Sequence, residues 1–334
     1  MNKYFYSYRS VVFGVAACIA FSDFARASDS IFNYAVYTSS GIEAECSDFL
    51  GQVASGGAVM FRDFLVQGNN PRECALESAH SVQMTRGKIA TSDSSYSSYG
   101  YGNLSCVGAD SFSNEGGEVG QAFRPRAPFS ELNQQVVDFS KSLTRYNSNA
   151  NRMVKVMRIN SQQVTQQRTI TLSGSSSTLL VVTSNERDVS LYGVGIKLRG
   201  SIGPKNIVWN FPNARSVVIA NSGMDEDCSN KGWGIPGTVV APYAKVTFNN
   251  ARITGALFAA AIYGKADQYS CGGVVSGQVN GECLAEIIPG IGCGDGGSDD
   301  GSHQEQQQQE PQQQQQSHSP RKPPQHQQQR EQRW

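Results

Sequence analysis

The sequence predicts a mainly β protein: a β-solenoid, parallel and β-helix-like, with one amphipathic helix and a disordered glutamine-rich tail. Three observations point there. Short apolar runs rich in Val, Ile and Thr recur along the chain, separated by Gly, Asn, Ser and Pro. Glycine accounts for 34 of 334 residues and charged residues for only 17%, a composition of many tight turns. No two-residue hairpin turn recurs, which favours strands stacked by successive turns over strands joined by hairpins.

Residues 1–27 have the pattern of a secretory signal. Lys3 and Arg9 precede an apolar run from Val11 to Phe21, and Ala25-Arg26-Ala27 supplies an A-x-A cleavage site. The run is shorter than the ~20 residues a bilayer span takes. Val15-Ala16-Ala17-Cys18 has the small-small-Cys shape of a lipoprotein signal, but Arg9 lies too close to leave room for an apolar core. No second apolar segment of membrane length follows. The mature protein is therefore expected to be exported, without a transmembrane span.

Residues 28–293 form the expected β domain. Its first third carries strand signals at Phe32–Tyr37, Gly51–Ala54 and Ala58–Val66. Gly56-Gly57 falls between two of them and is best taken as a corner between stacked strands, where glycine permits positive φ or close backbone approach. Residues 92–103, Ser- and Tyr-rich, have the composition of a surface loop. Leu132, Val136, Phe139 and Leu143 then fall at helical spacing, with Ser130 placed as an N-cap. This helix is expected to pack its stripe on a sheet or to cap one end of the stack.

A series of short strands follows: Thr169–Leu172, Thr178–Thr183, Val189–Tyr192, Ile196–Leu198, Ile207–Phe211, Ser216–Ala220, Thr238–Ala241, Lys245–Phe248 and Ile253–Phe258. Pro242 is expected to end its strand, because proline cannot donate to the ladder. Residues 294–334 change composition abruptly to an acidic Gly/Ser/Asp linker and a Gln-rich segment. That segment has almost nothing apolar to bury and is expected to be disordered.

Charge and cysteine usage narrow the function. The 28 basic and 28 acidic residues cancel to a net charge of +0, which argues against a nucleic-acid binder that works by neutralising phosphates. In an exported chain the seven cysteines after Cys18 are disulfide candidates. Cys228 with Cys271, and Cys283 with Cys293, are candidate local pairs, and the odd count leaves one thiol over. No C-x-x-C occurs, and only His80 precedes the tail histidines His303, His318 and His326, so a zinc site is not expected.

The chain carries no G-x-S-x-G, H-E-x-x-H or P-loop, and no enzymatic activity or cofactor is expected. One acidic loop, with Asp225, Asp227 and Asn230 offering oxygens close together, is a candidate Ca²⁺ site set against a simple solvated loop. Tyr96, Tyr99 and Tyr101 in the Ser/Gly loop are candidate ligand-binding residues, since a tyrosine ring offers contact area at low entropy cost.

Two blocks of motif resemble a known family. The first is Asn33-Tyr34-Ala35-Val36-Tyr37 followed by Gly51-Gln52-Val53-Ala54-Ser55-Gly56-Gly57-Ala58. The second joins Asn210-Phe211-Pro212, Ala241-Pro242 and Ile253-Thr254-Gly255. With Ser140-Lys141-Ser142-Leu143 between them, their order over residues 30–265 resembles the choice-of-anchor A domain of exported bacterial surface proteins. Gln52, Ser55 and Ala58 depart from the commoner residues of that pattern. The resemblance implies a surface adhesive role toward a matrix, glycan or cell-surface ligand. Two other functions stay open: a structural component that self-associates through its tail, and a polysaccharide-active β-helix enzyme.

Overall fold

The computed structural model describes residues 30–68, 74–91, 103–146, 154–220, 234–249, 251–265 and 274–276. The expected signal segment and the Gln-rich tail lie outside them. Among the described residues the protein is mainly β, with two α-helices, α1 (Phe129–Thr144) and α2 (Ser161–Gln167). Strand pairing is parallel throughout, except for a short antiparallel contact of Ala90 and Thr91 with Leu104 and Asn103. This is compatible with the expected stack.

Alternation makes the strands. In Ala58–Gly68, Val59, Phe61, Phe64 and Val66 are buried while Met60 and Arg62 face out. The same period of two places Ile42 and Ala44 inside and Glu43 outside in Val36–Glu45. The buried set merges into one core of Val, Ile, Leu and Phe side chains, in which Phe61 and Phe64 stack at 4.3 Å between centroids.

The strands form three long ladders. In the first, Val36–Thr38 pairs on one side with Val53–Ser55, which continues to Leu76–Ser78. On its other side Val36 meets Leu257, and the ladder runs on through 239–241, 208–210 and 180–183 to Val154–Arg158. The second ladder runs from Ser111–Glu118 through the first parts of Ser81–Thr91 and Ala58–Gly68, through residues 41–45, 261–265 and 245–249, to Ser216–Ala220 and Asp188–Tyr192. The third joins Asp48–Leu50 with 65–67 and with Val274–Ser276, then Arg252–Thr254 and Gly234–Pro236. A separate pair joins Thr169–Gly174 to Gly195–Gly200.

Gly56-Gly57 is a corner between the first and second ladders, as expected. Of the two reasons available to glycine, close approach is the one at work. A Cβ on Gly57 would sit 1.6 Å from the carbonyl oxygen of Ser40, and one on Gly56 2.7 Å from that of Ser39. Inside this corner Thr38, Ser55 and Ser78 stand in register. Thr38 Oγ1 donates to Ser55 Oγ at 2.9 Å, and Ser55 and Ser78 hydroxyls both donate to the Gly57 carbonyl. The three hydroxyls thus satisfy one another and a turn carbonyl where water is excluded.

The helix lies on the flank of the first ladder and not at an end of the stack. Its stripe of Leu132, Val136, Phe139 and Leu143 packs on the outer side chains of that ladder, among them Tyr37, Val208, Val240 and Phe258. Those outward positions are apolar, so they need a cover, and the helix supplies it. Ser130 does not cap α1: Pro128 holds that position, and Ser130 Oγ donates to the neighbouring Glu131 carboxylate. The approach to the helix is fixed instead by Glu77, whose carboxylate accepts from the backbone N–H groups of Arg126 and Ala127.

Further differences from the sequence expectation have local causes. Ile31–Asn33 is a 3₁₀ turn and the strand starts at Val36. Pro242 does not end its strand: Thr238–Asn249 continues through it, shifting register between Ala241 and Lys245. Ile253–Phe258 splits at Gly255, where a Cβ would lie 2.3 Å from the Gly237 carbonyl carbon. Helix α2 has no apolar stripe and buries only Val164; Asn160 Oδ1 caps it by accepting from the N–H of Gln162 and of Gln163.

Candidate binding face

The covered and open ladders differ. On the first ladder the outward side chains are sealed under α1. On the second they alternate with a buried inner set and remain open or half-open to solvent.

Register brings together residues that are far apart in sequence. Glu43 lies opposite Met60 on one side and Tyr263 on the other. Met60 lies opposite Gln83. Tyr263 lies opposite Thr247, Thr247 opposite Val218, and Val218 opposite Ser190. Gln83 lies opposite Ser113. Eight outward side chains, Ser113, Gln83, Met60, Glu43, Tyr263, Thr247, Val218 and Ser190, therefore form one straight row across the strands. A parallel row two residues along places Thr85, Arg62, Glu45 and Asn249 beside it. On the other side Ala58, Gly41 and Ala261 are small and leave the central row standing above its neighbour.

Met60 is 47% exposed and stands within this row. Lys245 Nζ lies 4.8 Å from the centroid of the Tyr263 ring and packs against it. At the nearby corner Arg215 lies 5.6 Å from the Tyr243 ring centroid. Arg62 pairs with Glu45 at 3.4 Å. Around Met60, Glu43, Tyr263, Gln83 and Thr85 the surface sinks into an open groove of about 150 Å³. That is below the ~300–1,000 Å³ of enclosed small-molecule sites. It suits a ligand lying along the surface.

The residues singled out in the sequence fall elsewhere. Tyr96, Tyr99 and Tyr101, the loop residues Asp225, Asp227 and Asn230, and Cys228, Cys271, Cys283 and Cys293 lie outside the described residues. Among the described residues a disulfide joins Cys74 to Cys106, a pairing the spacing did not single out. His80 is exposed, as expected of a surface residue.

The motif residues are structural. Gly51 has φ +134° and a Cβ there would meet the Ala35 Cβ at 2.4 Å. Asn210, Phe211 and Ala241 are fully buried. Phe211 N–H donates to the Val240 carbonyl at 2.9 Å, so the Asn210-Phe211-Pro212 and Ala241-Pro242 motifs meet across adjacent strands. They brace the strands that carry the open face and do not themselves line it. The row from Ser113 to Ser190 escaped sequence reasoning. Alternation within a strand shows which residues point outward, but only register shows which of them align.

No curated protein matches the chain. Over residues 27–269 it matches the family described as "Putative Ice-binding-like adhesive domain". That is a different family from the choice-of-anchor A domain whose motif order it resembles; an adhesive role is common to the two. Matched across most of its length, the chain belongs to the family of ice-binding-like adhesive domains.

Proposed function

We propose that this is an exported, non-enzymatic adhesive module whose three ladders are the sides of a β-solenoid, and that it holds its ligand on the open second side. The observation that carries this is the contrast between the sides: α1 seals one with an apolar interface, while the row through Met60, Glu43 and Tyr263 stands uncovered with apolar, aromatic and charged groups side by side. The family match and the motif order that resembles the choice-of-anchor A domain both support adhesion. Export is supported by the signal pattern of residues 1–27. No helix among the described residues is long and apolar enough to cross a membrane.

A shallow open groove leaves bound groups in contact with water. That suits adhesion through many weak contacts, whereas strong electrostatic catalysis uses a water-excluded site. The family description includes ice. On this chain Glu43, Glu45, Arg62 and Lys245 stand on the open side, and charged groups hold liquid water tightly. This favours a polymer or a cell surface over ice as the ligand. The test is retention of the purified protein on arrayed glycans, matrix proteins and whole cells. Retention that falls when Met60 and Tyr263 are both replaced by Ser supports the reading. Retention unchanged in that variant, or none on any surface, overturns it.

A further inference from the structure

The central row of the open face has a period of its own. Read along the stack it runs Ser113, Gln83, Met60, Glu43, Tyr263, Thr247, Val218, Ser190. Beyond the polar pair at its first end, polar and apolar side chains alternate over the seven strands from Gln83 to Ser190, drawn from both halves of the chain. Adjacent strands lie ~4.8 Å apart, so the apolar platforms Met60, Tyr263 and Val218 repeat every ~9.6 Å and the alternating part of the row spans ~29 Å. Nothing in folding requires this alternation, since these side chains point away from the core and each belongs to a different strand.

A ligand matched to such a row is a straight polymer whose chemistry repeats at two strand spacings. An extended β-1,4-linked polysaccharide has that property. Each sugar is flipped relative to the last, so the same face recurs once per disaccharide, at a length close to two strand spacings. Its C–H faces suit Met60, Tyr263 and Val218. Its hydroxyl edges suit the carboxylate, amide and hydroxyls of Glu43, Gln83, Thr247 and Ser190, with Thr85, Arg62 and Asn249 alongside.

Charge does not select within that class, because the open face offers both an anion, Glu43, and a cation, Lys245 beside the Tyr263 ring. We infer that the ligand is an extended β-1,4-linked polysaccharide, lying across the strands with one disaccharide per two strands. This rests on the adhesive reading above and names its ligand class.

The test is calorimetric titration of the full chain with cello- and chito-oligosaccharides of increasing length, beside malto-oligosaccharides of the same lengths, whose α linkage curls the chain. The expected result is affinity that rises with each added disaccharide up to about six sugars, the length of the alternating part of the row, then levels off, with no binding of the α-linked series. Tyr263→Ala is expected to weaken binding about tenfold or more. Met60→Ser, at an exposed position that leaves the core untouched, is expected to weaken it several-fold, so a folding defect in the first variant does not decide the matter. Equal binding of α-linked oligosaccharides, or affinity independent of length, overturns the ligand class. So does adherence to cells or matrix proteins without binding to any glycan, which leaves the adhesive reading standing. No adherence to any surface overturns both.

Discussion

Asn210 and Ser140 are joined by two hydrogen bonds: the Asn210 amide donates to the Ser140 carbonyl at 3.0 Å, and the Ser140 hydroxyl donates to Asn210 Oδ1 at 2.7 Å. Both residues are buried. One is in the first ladder and the other in the middle of α1, so the pair sets where the helix sits along the strands it covers. Asn210→Ala would strand the Ser140 hydroxyl without water. A loss of about 1–3 kcal/mol in urea unfolding is expected. Ser140→Ala combined with Asn210→Leu removes both polar partners and should recover part of it; a double variant as unstable as the sum of the singles would show the two residues act separately.

Gly57→Ala is expected to be the most damaging single-methyl addition among the described glycines. The new Cβ would overlap a backbone carbonyl, which cannot rotate away, so the loss should reach or exceed the ~1–3 kcal/mol of ordinary overpacking. Gly203→Ala is the control, because its nearest atom would be 3.9 Å away. Thermal melts of the two variants should separate clearly, with Gly203→Ala close to the unmodified protein.

Reduction should loosen the first third of the domain. The Cys74–Cys106 bridge closes a loop with a sequence separation of 32, for which loop-closure entropy gives a stabilisation of about 3–4 kcal/mol. A Cys74→Ser/Cys106→Ser variant should unfold at lower urea concentration and be insensitive to added thiol. The unmodified protein should shift toward the variant on reduction.

Glu186 should make stability fall in acid. Its carboxylate accepts from the Ser161 hydroxyl and backbone N–H and from the Ser184 hydroxyl, and these bonds hold its pKa below the usual carboxylate value of 4.5. A folded-state pKa lowered in this way adds stability that is fully present above the unfolded value and disappears as pH falls through the folded one. Asp48 runs the other way, because burial raises its pKa, and it adds stability only as it becomes protonated. Urea midpoints measured from pH 7 downward should therefore show Glu186→Gln below the unmodified protein at pH 7, with the gap closing as pH falls below 4.5.

What the sequence reveals is local. Ala58–Val66 and Ser216–Ala220 are legible because alternation is written within each strand, and Leu132, Val136, Phe139 and Leu143 because a helical stripe repeats within two turns. The mainly β character and the glycine corner follow from the same kind of signal. Alignment of Glu43 with Met60 and Tyr263 is not written locally, since the residues meet only through ladder register. The partner of Cys74 is hidden for the same reason. Helix α2 is hidden for another: its Asn160 cap is an ordinary loop residue until the polar turn after it is known to be helical.

The placement of Val36–Thr38 bears on how the protein comes to be folded. This strand is among the first parts of the domain to be made, yet one of its two neighbours, Leu257–Ala259, follows roughly 220 residues later. Until then one edge of the first strand has no permanent partner. Such long-range pairing slows folding, and a bare edge is a template for pairing with other chains. Closure of the first ladder therefore waits on a strand made near the end of the domain, and whatever shields the edge of Val36–Thr38 in the meantime acts on a half-finished fold.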